Sequence, residues 1–354
     1  MVTDIHLQDF RSYHNDSFEF SPGVNIIVGP NASGKTSLLE AILVACRGSS
    51  YKAKDIELIK FKKPWARLEA HTADNETRLV IIENQEDRAH KQFKINDQIL
   101  QRLSLQKTLP VVIFEPNQLM LLIGSPDARR QFIDDLLEQT QVGYSTLRKA
   151  YRRILWQRNT LLKQKQNLSV DQLFVWDVRL SEYAAKIVEA RHKLTSSLNK
   201  QLGPLYKKLT QSSARATIEY RSLTSPDNYA SALLKKLESH RPEDIERGFT
   251  AYGPHREDLR ISIDNHPAQT AASRGETRTL LLVLKMIEAL LLEQTLGRRP
   301  LLLLDDVFSE LDGARRQALT SFLQSYQTFI TTTDADVVLE HFTENCNVIP
   351  LVGV

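Results

Sequence analysis

Cysteine, long apolar runs and signal-peptide features are scarce or missing in this chain, and each absence excludes a class of protein. The two cysteines, Cys46 and Cys346, are too few and too far apart for a disulfide framework or a cysteine metal cluster. No apolar run reaches the roughly 18 residues of a membrane-spanning helix, because Lys285 and Glu288 interrupt the richest run, 280–296. The first residues, "MVTDIHLQDFRSY", lack the apolar core of a signal peptide. We therefore expect a cytoplasmic protein without a membrane partner.

A strong charge of either sign is also missing. The formal net charge of the 354 residues is only +3, which neither requires nor excludes a nucleic-acid partner, since a local basic face would matter more. Zinc-finger spacing and the aromatic motif of RNA-binding domains are missing too, so base-specific recognition is not expected. The 42% hydrophobic and 25% charged content is that of an ordinary globular protein, long enough for two domains or for one domain with an insertion.

The periodicity of the apolar residues changes twice along the chain. Short β-like runs, including 24–28 and 111–114, fill the first third. A helical pattern follows from about residue 127 to about residue 208, with a break expected at Gly203–Pro204, and β-like segments return after it. We predict an α/β domain built from both ends of the chain, with a mainly helical arm inserted between them. The expected boundaries are 1–125 and 249–354 for the two halves and 126–248 for the arm.

The segment "GPNASGKT" fits the G-x-x-x-x-G-K-[ST] pattern of a phosphate-binding loop. A strand-like run, "VNIIV", precedes it and a helix-like run, "SLLEAILVA", follows it, which is the context that the motif requires. The glycines let backbone N–H groups point at phosphate oxygens, and the helix adds its positive N-terminal end. Lys35 should reach the β- and γ-phosphates of ATP, and the Thr36 hydroxyl should bind Mg²⁺. The predicted nucleotide-binding residues are Gly29, Pro30, Asn31, Ala32, Ser33, Gly34, Lys35 and Thr36.

A second phosphate-site motif, "PLLLLDDVFSELD", lies near the other end of the chain. Its four leucines suit a strand that is buried on both faces of a parallel sheet. An acidic residue at the carboxyl end of such a strand lies beside the phosphate site. We predict that Asp305 anchors Mg²⁺ and that Asp306 orients or deprotonates the attacking water, which makes Asp306 and Lys35 the catalytic candidates. A plain strand followed by an Asp-rich turn is the structural alternative.

The wide separation of these two motifs resembles the ABC-type ATPases, especially their SMC-like branch, in which an insertion splits the ATPase domain. The segment "ASRGETRTLLLVLKMIEALL" is similar to the ABC signature and its helix, with Ser273, Gly275 and Glu276 at the key places. A serine hydroxyl and a glycine N–H at a helix N-terminus suit a γ-phosphate, which in the ABC arrangement belongs to a second subunit. "SELD" at 309–312 resembles the D-loop of the same interface. An ordinary helix capping box formed by Ser273 and Glu276 is the alternative.

Three further blocks are similar to the RecF family of bacterial recombination-mediator ATPases. They are "LQDFRSY" before the phosphate loop, "PNQLMLLIGSPDARRQFID" at 116–134 and "AYGPHREDL" at 251–259. The insertion is short and lacks sustained heptads, unlike the long coiled coils of SMC proteins. In the third block, a structural interpretation has Pro254 fixing a turn and Arg256 pairing with Asp258.

Two further site residues are implied by the resemblance, and the chain departs from the family pattern at several positions. It implies that Arg11 contacts the nucleotide phosphates and that Gln118 contacts Mg²⁺ and water; a surface Arg and a solvated loop Gln are the alternatives. The chain has Asn117 where the family is usually acidic. Glu276 replaces the usual Gln and adds a negative charge near phosphate. Asp306 stands where many related ATPases carry Glu, and because its shorter side chain should hold water less well, we expect slow hydrolysis. Threonines in "FITTTDAD" stand in place of a switch histidine, in keeping with RecF.

The resemblance also implies a function that the motifs alone do not give. RecF-like proteins are expected to form an ATP-induced homodimer that binds duplex and gapped DNA, including single-strand/double-strand junctions. With RecO and RecR they help RecA loading in recombinational repair, replication restart and the SOS response, and a weak, DNA-dependent ATP hydrolysis resets the clamp. The helix pattern at 145–166 has a basic stripe at 148–165 that is a candidate DNA surface, with a solvated helix face as the alternative. Its members are Arg148, Lys149, Arg152, Arg153, Arg158, Lys163 and Lys165.

Two other functions use the same phosphate loop. The ATPase subunit of an ABC-type transporter is the main alternative, but the chain lacks the switch histidine and shows no evident segment for coupling to a membrane partner. A small-molecule kinase is the second, and the Ser273–Glu276 segment argues against it, since a kinase has no use for a γ-phosphate signature that acts across subunits.

Overall fold

The computed structural model describes residues 1–164, 170–308, 311–334, 338, 340, 342 and 346–352. In chain order the strands are β1 Val2–Gln8, β2 Asn15–Glu19, β3 Val24–Val28, β4 Trp65–Thr72, β5 Thr77–Gln85, β6 Arg88–Ile95, β7 Gln98–Leu100, β8 Val111–Phe114, β9 Ala216–Arg221, β10 Asp258–Ile263, β11 His266–Pro267, β12 Leu301–Asp305, β13 Thr328–Thr332 and β14 Cys346–Pro350. The helices are α1 Lys35–Arg47, α2 Met120–Ile123, α3 Pro126–Thr140, α4 Tyr144–Leu162, α5 Val170–Thr210, α6 Tyr229–Ser239, α7 Arg241–Arg247, α8 Ala268–Ala271, α9 Arg274–Leu296 and α10 Gly313–Leu323.

The chain forms two compact units. Unit 1 consists of Met1–Gln118 and Glu288–Val354, and unit 2 consists of Leu119–Ile287. The two chain ends therefore share one unit, as predicted for the α/β domain. Unit 2 extends beyond both ends of the predicted arm at 126–248. On the C-terminal side, β10 pairs along its whole length with β9 and so stays in unit 2. Among the described helices, none is both long and apolar enough to cross a membrane.

Unit 1 contains a parallel sheet with strand order β14-β3-β13-β12-β8. Every residue of β12 and β13 is buried, as expected for central strands that are covered on both faces. Because neighbouring strands are parallel, their carboxyl ends lie along one edge of the sheet. The phosphate loop follows β3, Asp305 ends β12 and Asp306 follows it, so both motifs lie along this edge, with β13 between the two strands.

A second sheet of unit 1 is antiparallel, with the order β2-β1-β4-β5-β6-β7. Alternate residues of β4 and β5 are buried, the pattern of a sheet with one face in the core. Helix α1 belongs to the same apolar cluster as strands of both sheets, and its residues 38–46 are all buried. The buried amide of Gln327 also links the sheets, because it accepts a hydrogen bond from the Val2 N–H (2.8 Å) and donates one to the Val2 carbonyl (2.6 Å). These contacts hold α1, and with it the phosphate loop, in one position.

Unit 2 is built on α3, α4 and the long α5, with a small sheet of order β11-β10-β9. The predicted break at Gly203–Pro204 is wrong, since α5 continues through it to Thr210. Proline removes one helical hydrogen bond, but Leu202 and Tyr206 on either side are buried, and this packing outweighs the local preference. At the other end of α5, the fully buried Arg158 of α4 pairs with the buried Asp177 at 2.6 Å.

Candidate functional site

The phosphate loop connects β3 to α1 in a conformation that its glycines permit. Gly34, the residue before α1, has a φ of +98°, in the left-handed region that favours glycine. A Cβ atom there would lie 2.9 Å from the Ser12 Oγ and the Tyr13 Oη. The Tyr13 hydroxyl donates to the Gly34 carbonyl at 3.0 Å. A Cβ atom on Gly29 would lie 2.6 Å from the Leu351 carbonyl, so both glycines of the loop are required by close approach.

Lys35 and Thr36 begin α1 and point in different directions. The Lys35 ammonium curls back over the loop and donates to the carbonyls of Gly29 and Pro30, both at 2.7 Å. The Thr36 hydroxyl donates to the Asp305 carboxylate, 2.9 Å from Oδ1. The two motifs at opposite ends of the chain therefore meet through a direct side-chain contact.

Asp305 is buried at the end of β12, and the neighbouring strand supports it. Thr331 of β13 donates its hydroxyl to the Asp305 Oδ1 at 2.9 Å. The backbone N–H of Asp306 donates to the same Thr331 hydroxyl at 3.0 Å. Asp306 has a φ of +53°, a conformation that aspartate tolerates better than most residues, and its side chain is exposed. A single threonine thus contacts the side chain of Asp305 and the backbone of Asp306.

These residues line a cavity of about 280 Å³. Its walls combine loop N–H groups, an ammonium, hydroxyls and two carboxylates, a set that suits a phosphate chain together with a hard cation. The Thr36 hydroxyl and the Asp305 carboxylate are the oxygen donors that could hold Mg²⁺. The described residues contain no cluster of three or more His, Cys, Asp or Glu able to hold a metal by themselves. The lining residues are Ser12, Asn31, Ala32, Gly34, Lys35, Thr36, Ser37, Asp305, Asp306, Thr331 and Thr333.

Sequence reasoning missed two side chains at this carboxylate, which come from the segment after α1. The Lys52 ammonium lies 3.0 Å from the Asp305 Oδ2, and the Tyr51 hydroxyl donates to the same oxygen at 3.3 Å. Burial, and then the nearby Asp305 charge, raise the pKa of Tyr51, so it remains a neutral donor. No motif marks this segment; the only signal was a cation soon after the helix of the phosphate loop.

Arg11 does not line the cavity, but it supports the segment that carries Lys52. Its guanidinium forms two hydrogen bonds with the buried Glu40 of α1, at 2.7 and 3.1 Å. The Ser50 hydroxyl donates to the same carboxylate and accepts the backbone N–H of Lys52 at 2.9 Å. Arg11 also borders an adjoining cavity of about 570 Å³, which shares Ser12, Thr36 and Ser37 with the first. A contact of Arg11 with nucleotide phosphates stays a prediction.

Gln118 is the second residue that the structure does not place at the cavity. Its side-chain oxygen accepts the Glu115 N–H at 3.4 Å, and Gln118 is not among the lining residues. Its assignment as a ligand of Mg²⁺ and water stays a prediction. The side chain of Asn117 lies outside the described part of the structure.

In unit 2, Ser273 immediately precedes α9 and forms a reciprocal pair with Glu276. One Glu276 oxygen accepts both the Ser273 N–H (2.8 Å) and the Ser273 hydroxyl (2.7 Å). The Glu276 N–H donates to the Ser273 Oγ at 3.3 Å. These bonds lower the pKa of Glu276 and form the capping box of the alternative interpretation. Gly275 lies in the first turn of the same helix.

Of the D-loop candidate, Ser309 and Glu310 lie outside the described residues. Asp312 is described and caps α10, since its side chain accepts the Arg315 N–H at 3.0 Å. The trans-acting roles assigned to both segments stay predictions.

Within unit 2, the RecF-like blocks at 116–134 and 251–259 pair with each other through Arg129 and Asp258. Arg129 of α3 holds Asp258 through two hydrogen bonds, at 2.7 and 2.8 Å. The expected pairing of Arg256 with Asp258 is therefore wrong, and Arg256 instead lies over the Phe249 ring at 5.0 Å. The geometry of these blocks indicates a structural role.

Two members of the predicted basic stripe belong to the interior of unit 2. Arg148 is buried against Asp134, and Arg158 is buried against Asp177, so neither belongs to a solvated basic face. The prediction is wrong for these two residues. Helical periodicity places polar side chains on the solvent-exposed face, but both arginines form ion pairs with acidic residues of other helices. The exposed members are Lys149, Arg152, Arg153 and Lys163, and Lys165 lies outside the described residues.

The chain is an ABC/SMC-like P-loop ATPase, which confirms the predicted fold class. Three features define it: a parallel sheet built from both ends of the chain, a phosphate loop that meets an acidic strand end, and a second, mainly helical unit. The model of the family "RecF/RecN/SMC N terminal domain" matches residues 1–350. "DNA replication and repair protein RecF" of Clostridium perfringens is 32% identical, over 99% of this chain and 98% of that protein. The protein of the same name from Heliobacterium modesticaldum is 36% identical, over 94% and 92%. The chain belongs to the RecF family of DNA replication and repair proteins.

Solved structures agree with this assignment. The recombination mediator protein RecF-ATP of the RecFOR pathway shares 30% identity and a TM-score of 0.85, over 94% of this chain and 92% of that one. The Smc head domain of Pyrococcus furiosus, solved with an extended coiled coil and the C-terminal domain of ScpA, has 16% identity and a TM-score of 0.52, over 96% and 91%, and shows the shared fold alone.

Proposed function

We propose that this protein is an ATP-dependent DNA-binding switch of recombinational DNA repair and replication restart. The observation that carries the proposal is the contact between the Thr36 hydroxyl and Asp305, which joins the phosphate loop to the acidic strand end. The RecF relatives named above, one of them solved with ATP, support the choice of nucleotide and of pathway.

Each site residue has a role that follows from its chemistry. Lys35 neutralises the β- and γ-phosphates, and the loop N–H groups donate to phosphate oxygens. Mg²⁺, held by Thr36 and Asp305, would offset the phosphate charge when bound. Asp306 accepts the proton of the attacking water, and its short side chain makes that step slow. Hydrolysis therefore acts as a timer and resets the clamp.

The second half of the proposal is an ATP-induced homodimer. Ser273 and Gly275 lie at the start of α9, where hydroxyl and N–H donors suit the γ-phosphate bound by another subunit. ATP then bridges two copies of the chain, and the loss of its γ-phosphate separates them.

DNA is the proposed macromolecular partner. Duplex and gapped DNA would be held through phosphate contacts, for which the exposed residues of the basic stripe remain candidates. RecR and RecO are proposed as protein partners that join this clamp to RecA loading at single-strand/double-strand junctions, as the name RecFOR given to the relative's pathway suggests.

Light scattering with Mg-ATP, with and without a short gapped duplex, tests this function. We expect ATP to produce dimers and tighter duplex binding. Lys35→Ala should lose nucleotide binding, whereas Ser273→Ala should bind ATP but stay monomeric. Normal ATP-driven dimerisation of Ser273→Ala would rule out the shared γ-phosphate, and phosphate transfer to a small-molecule acceptor would rule out the clamp.

A further inference from the structure

The signature-like segment of unit 2 contains an internal anion that is already bound to its serine. One oxygen of Glu276 takes two donors of Ser273, the backbone N–H at 2.8 Å and the hydroxyl at 2.7 Å. Ser273 is exposed, so the pair lies at the surface, where an external anion has access to it. The donors proposed for a γ-phosphate are thus engaged within the same chain.

Carboxylate and phosphate oxygens are both anionic acceptors, so they compete for the same Ser273 donors. A serine hydroxyl carries one proton, so it cannot donate to Glu276 and to a γ-phosphate oxygen at the same time. The carboxylate also has the same sign of charge as the phosphate, so a nucleotide that approaches Ser273 is repelled while Glu276 stays in place. Glu276 must therefore rotate away, and this lowers the apparent affinity of the bridged state.

The helix cap does not itself require this charge. A glutamine at the same position completes a capping box through its amide oxygen, and the Ser273 Oγ would still accept the N–H of residue 276. The negative charge is therefore available for a different role.

We propose that Glu276 is a gating residue, an internal anion that competes with the partner's γ-phosphate for Ser273 and so keeps ATP-driven dimerisation weak. The proposal rests on the shared γ-phosphate of the proposed function. It adds that the carboxylate of this chain sets how tightly two copies associate when ATP is bound.

Glu276→Gln isolates the charge, because it keeps the size of the side chain and an acceptor oxygen. Glu246→Gln is the matched control, since Glu246 is exposed on α7 of the same unit and its replacement changes the net charge equally. The dimer dissociation constant in Mg-ATP is measured for the wild type and both variants by sedimentation equilibrium. We expect Glu276→Gln to dimerise about fivefold more tightly than the wild type, as for loss of one exposed like-charge contact, and Glu246→Gln to be unchanged.

Salt separates a charge effect from a structural one. Between about 0.1 M and about 1 M salt the screening length falls from about 10 Å to about 3 Å, so the advantage of Glu276→Gln should shrink. Glu276→Ala, which loses the cap as well as the charge, should also dimerise more tightly than the wild type. If the wild type dimerises with ATP and both Glu276 variants dimerise equally tightly or more weakly, the gating role of Glu276 is ruled out. The shared γ-phosphate is not affected by that result. If neither the wild type nor Glu276→Gln dimerises with ATP, the shared γ-phosphate fails and the gate fails with it.

Discussion

Asp305 is the residue on which the contacts of the site converge. Its carboxylate accepts hydrogen bonds from the hydroxyls of Thr36, Thr331 and Tyr51, and the Lys52 ammonium lies 3.0 Å away. A buried carboxylate needs such partners, because leaving one unpaired is costly. The same contacts fix the direction of its oxygens, so the geometry is set before any ligand arrives.

Removing the Lys52 ammonium should destabilise unit 1. Because the side chain is 37% exposed, its pair with Asp305 is screened, and we expect Lys52→Ala to cost about 1 kcal/mol. That corresponds to a fall in Tm of about 2 °C in a chain of this size, measurable by thermal denaturation without nucleotide. Lys200→Ala, an exposed residue of α5, is the control and should leave Tm unchanged. An unchanged Tm of Lys52→Ala would show that the contact is energetically neutral.

His255 gives unit 2 a dependence on pH. Tyr151 donates to its Nδ1 (2.7 Å) and its Nε2 donates to the Thr250 carbonyl (3.1 Å), so the imidazole is neutral. Burial lowers the pKa of His255 to about 4, whereas the unfolded chain has the ordinary value of about 6.5. The unfolded state therefore binds more protons as the pH falls from 6.5 towards 4, and the stability present above pH 6.5 is lost in that window.

His255→Gln should remove this dependence. Glutamine can accept from one partner and donate to the other, but it does not titrate. Between pH 7 and pH 5 the wild type should lose about 2 kcal/mol of unfolding free energy more than the variant, as measured by urea denaturation. Parallel pH profiles for the two proteins would contradict a half-buried histidine that is neutral in the folded state.

At the scale of elements, packing decides where local preferences conflict with it. Helix α5 continues for 41 residues through Pro204 because Leu202 and Tyr206 are buried on either side. Helix α4 turns Arg148 and Arg158 inward because acidic residues of other helices receive them. The acidic partners of the two arginines lie on other helices, so the residue pattern within α4 cannot reveal them.

Pro204→Ala should stabilise unit 2. The proline is exposed, so its replacement removes no core contact, and alanine restores an N–H that can bond to the carbonyl one turn earlier. Alanine is favoured over proline inside a helix, but it also makes the unfolded chain more flexible, which offsets part of this advantage. We expect a net increase of about 1 kcal/mol in the free energy of unfolding, measured with urea. A loss of stability would show that the ring itself contributes to packing.

At the scale of the whole molecule, the motifs and the fold class could be predicted from the sequence, whereas most individual side-chain contacts between segments could not. The loop with Lys35 is recognised by the fixed spacing of its motif residues. The strand that ends at Asp305 is recognised by its buried apolar run, and both signals are local. The segment that carries Lys52 has neither, and its role depends on Ser50 and Glu40 holding it in place. The pairing of Arg129 with Asp258 likewise joins two segments that only the fold brings together.

The rate of ATP hydrolysis, which we assign to Asp306, should set how long the ATP-bound state lasts. Asp306→Asn keeps the shape of the side chain and its positive φ but cannot accept a proton from water. We expect the wild type to turn over below about 1 s⁻¹ without DNA, and the variant at least about tenfold more slowly while still binding ATP. The rate of phosphate release measures turnover, and light scattering measures how long the ATP-bound dimer lasts. Equal turnover would remove Asp306 from the catalytic candidates.

The position of β3 in the parallel sheet has a consequence for the synthesis of the protein. Both of its neighbours, β13 and β14, come from the end of the chain. On the ribosome, the strand that leads into the phosphate loop therefore emerges early and has no strand to pair with until almost the whole chain has been translated. Pairing across such a sequence separation is slow, whereas Leu119–Ile287 is complete earlier. We therefore expect the phosphate loop to gain its supporting strands only near the end of translation.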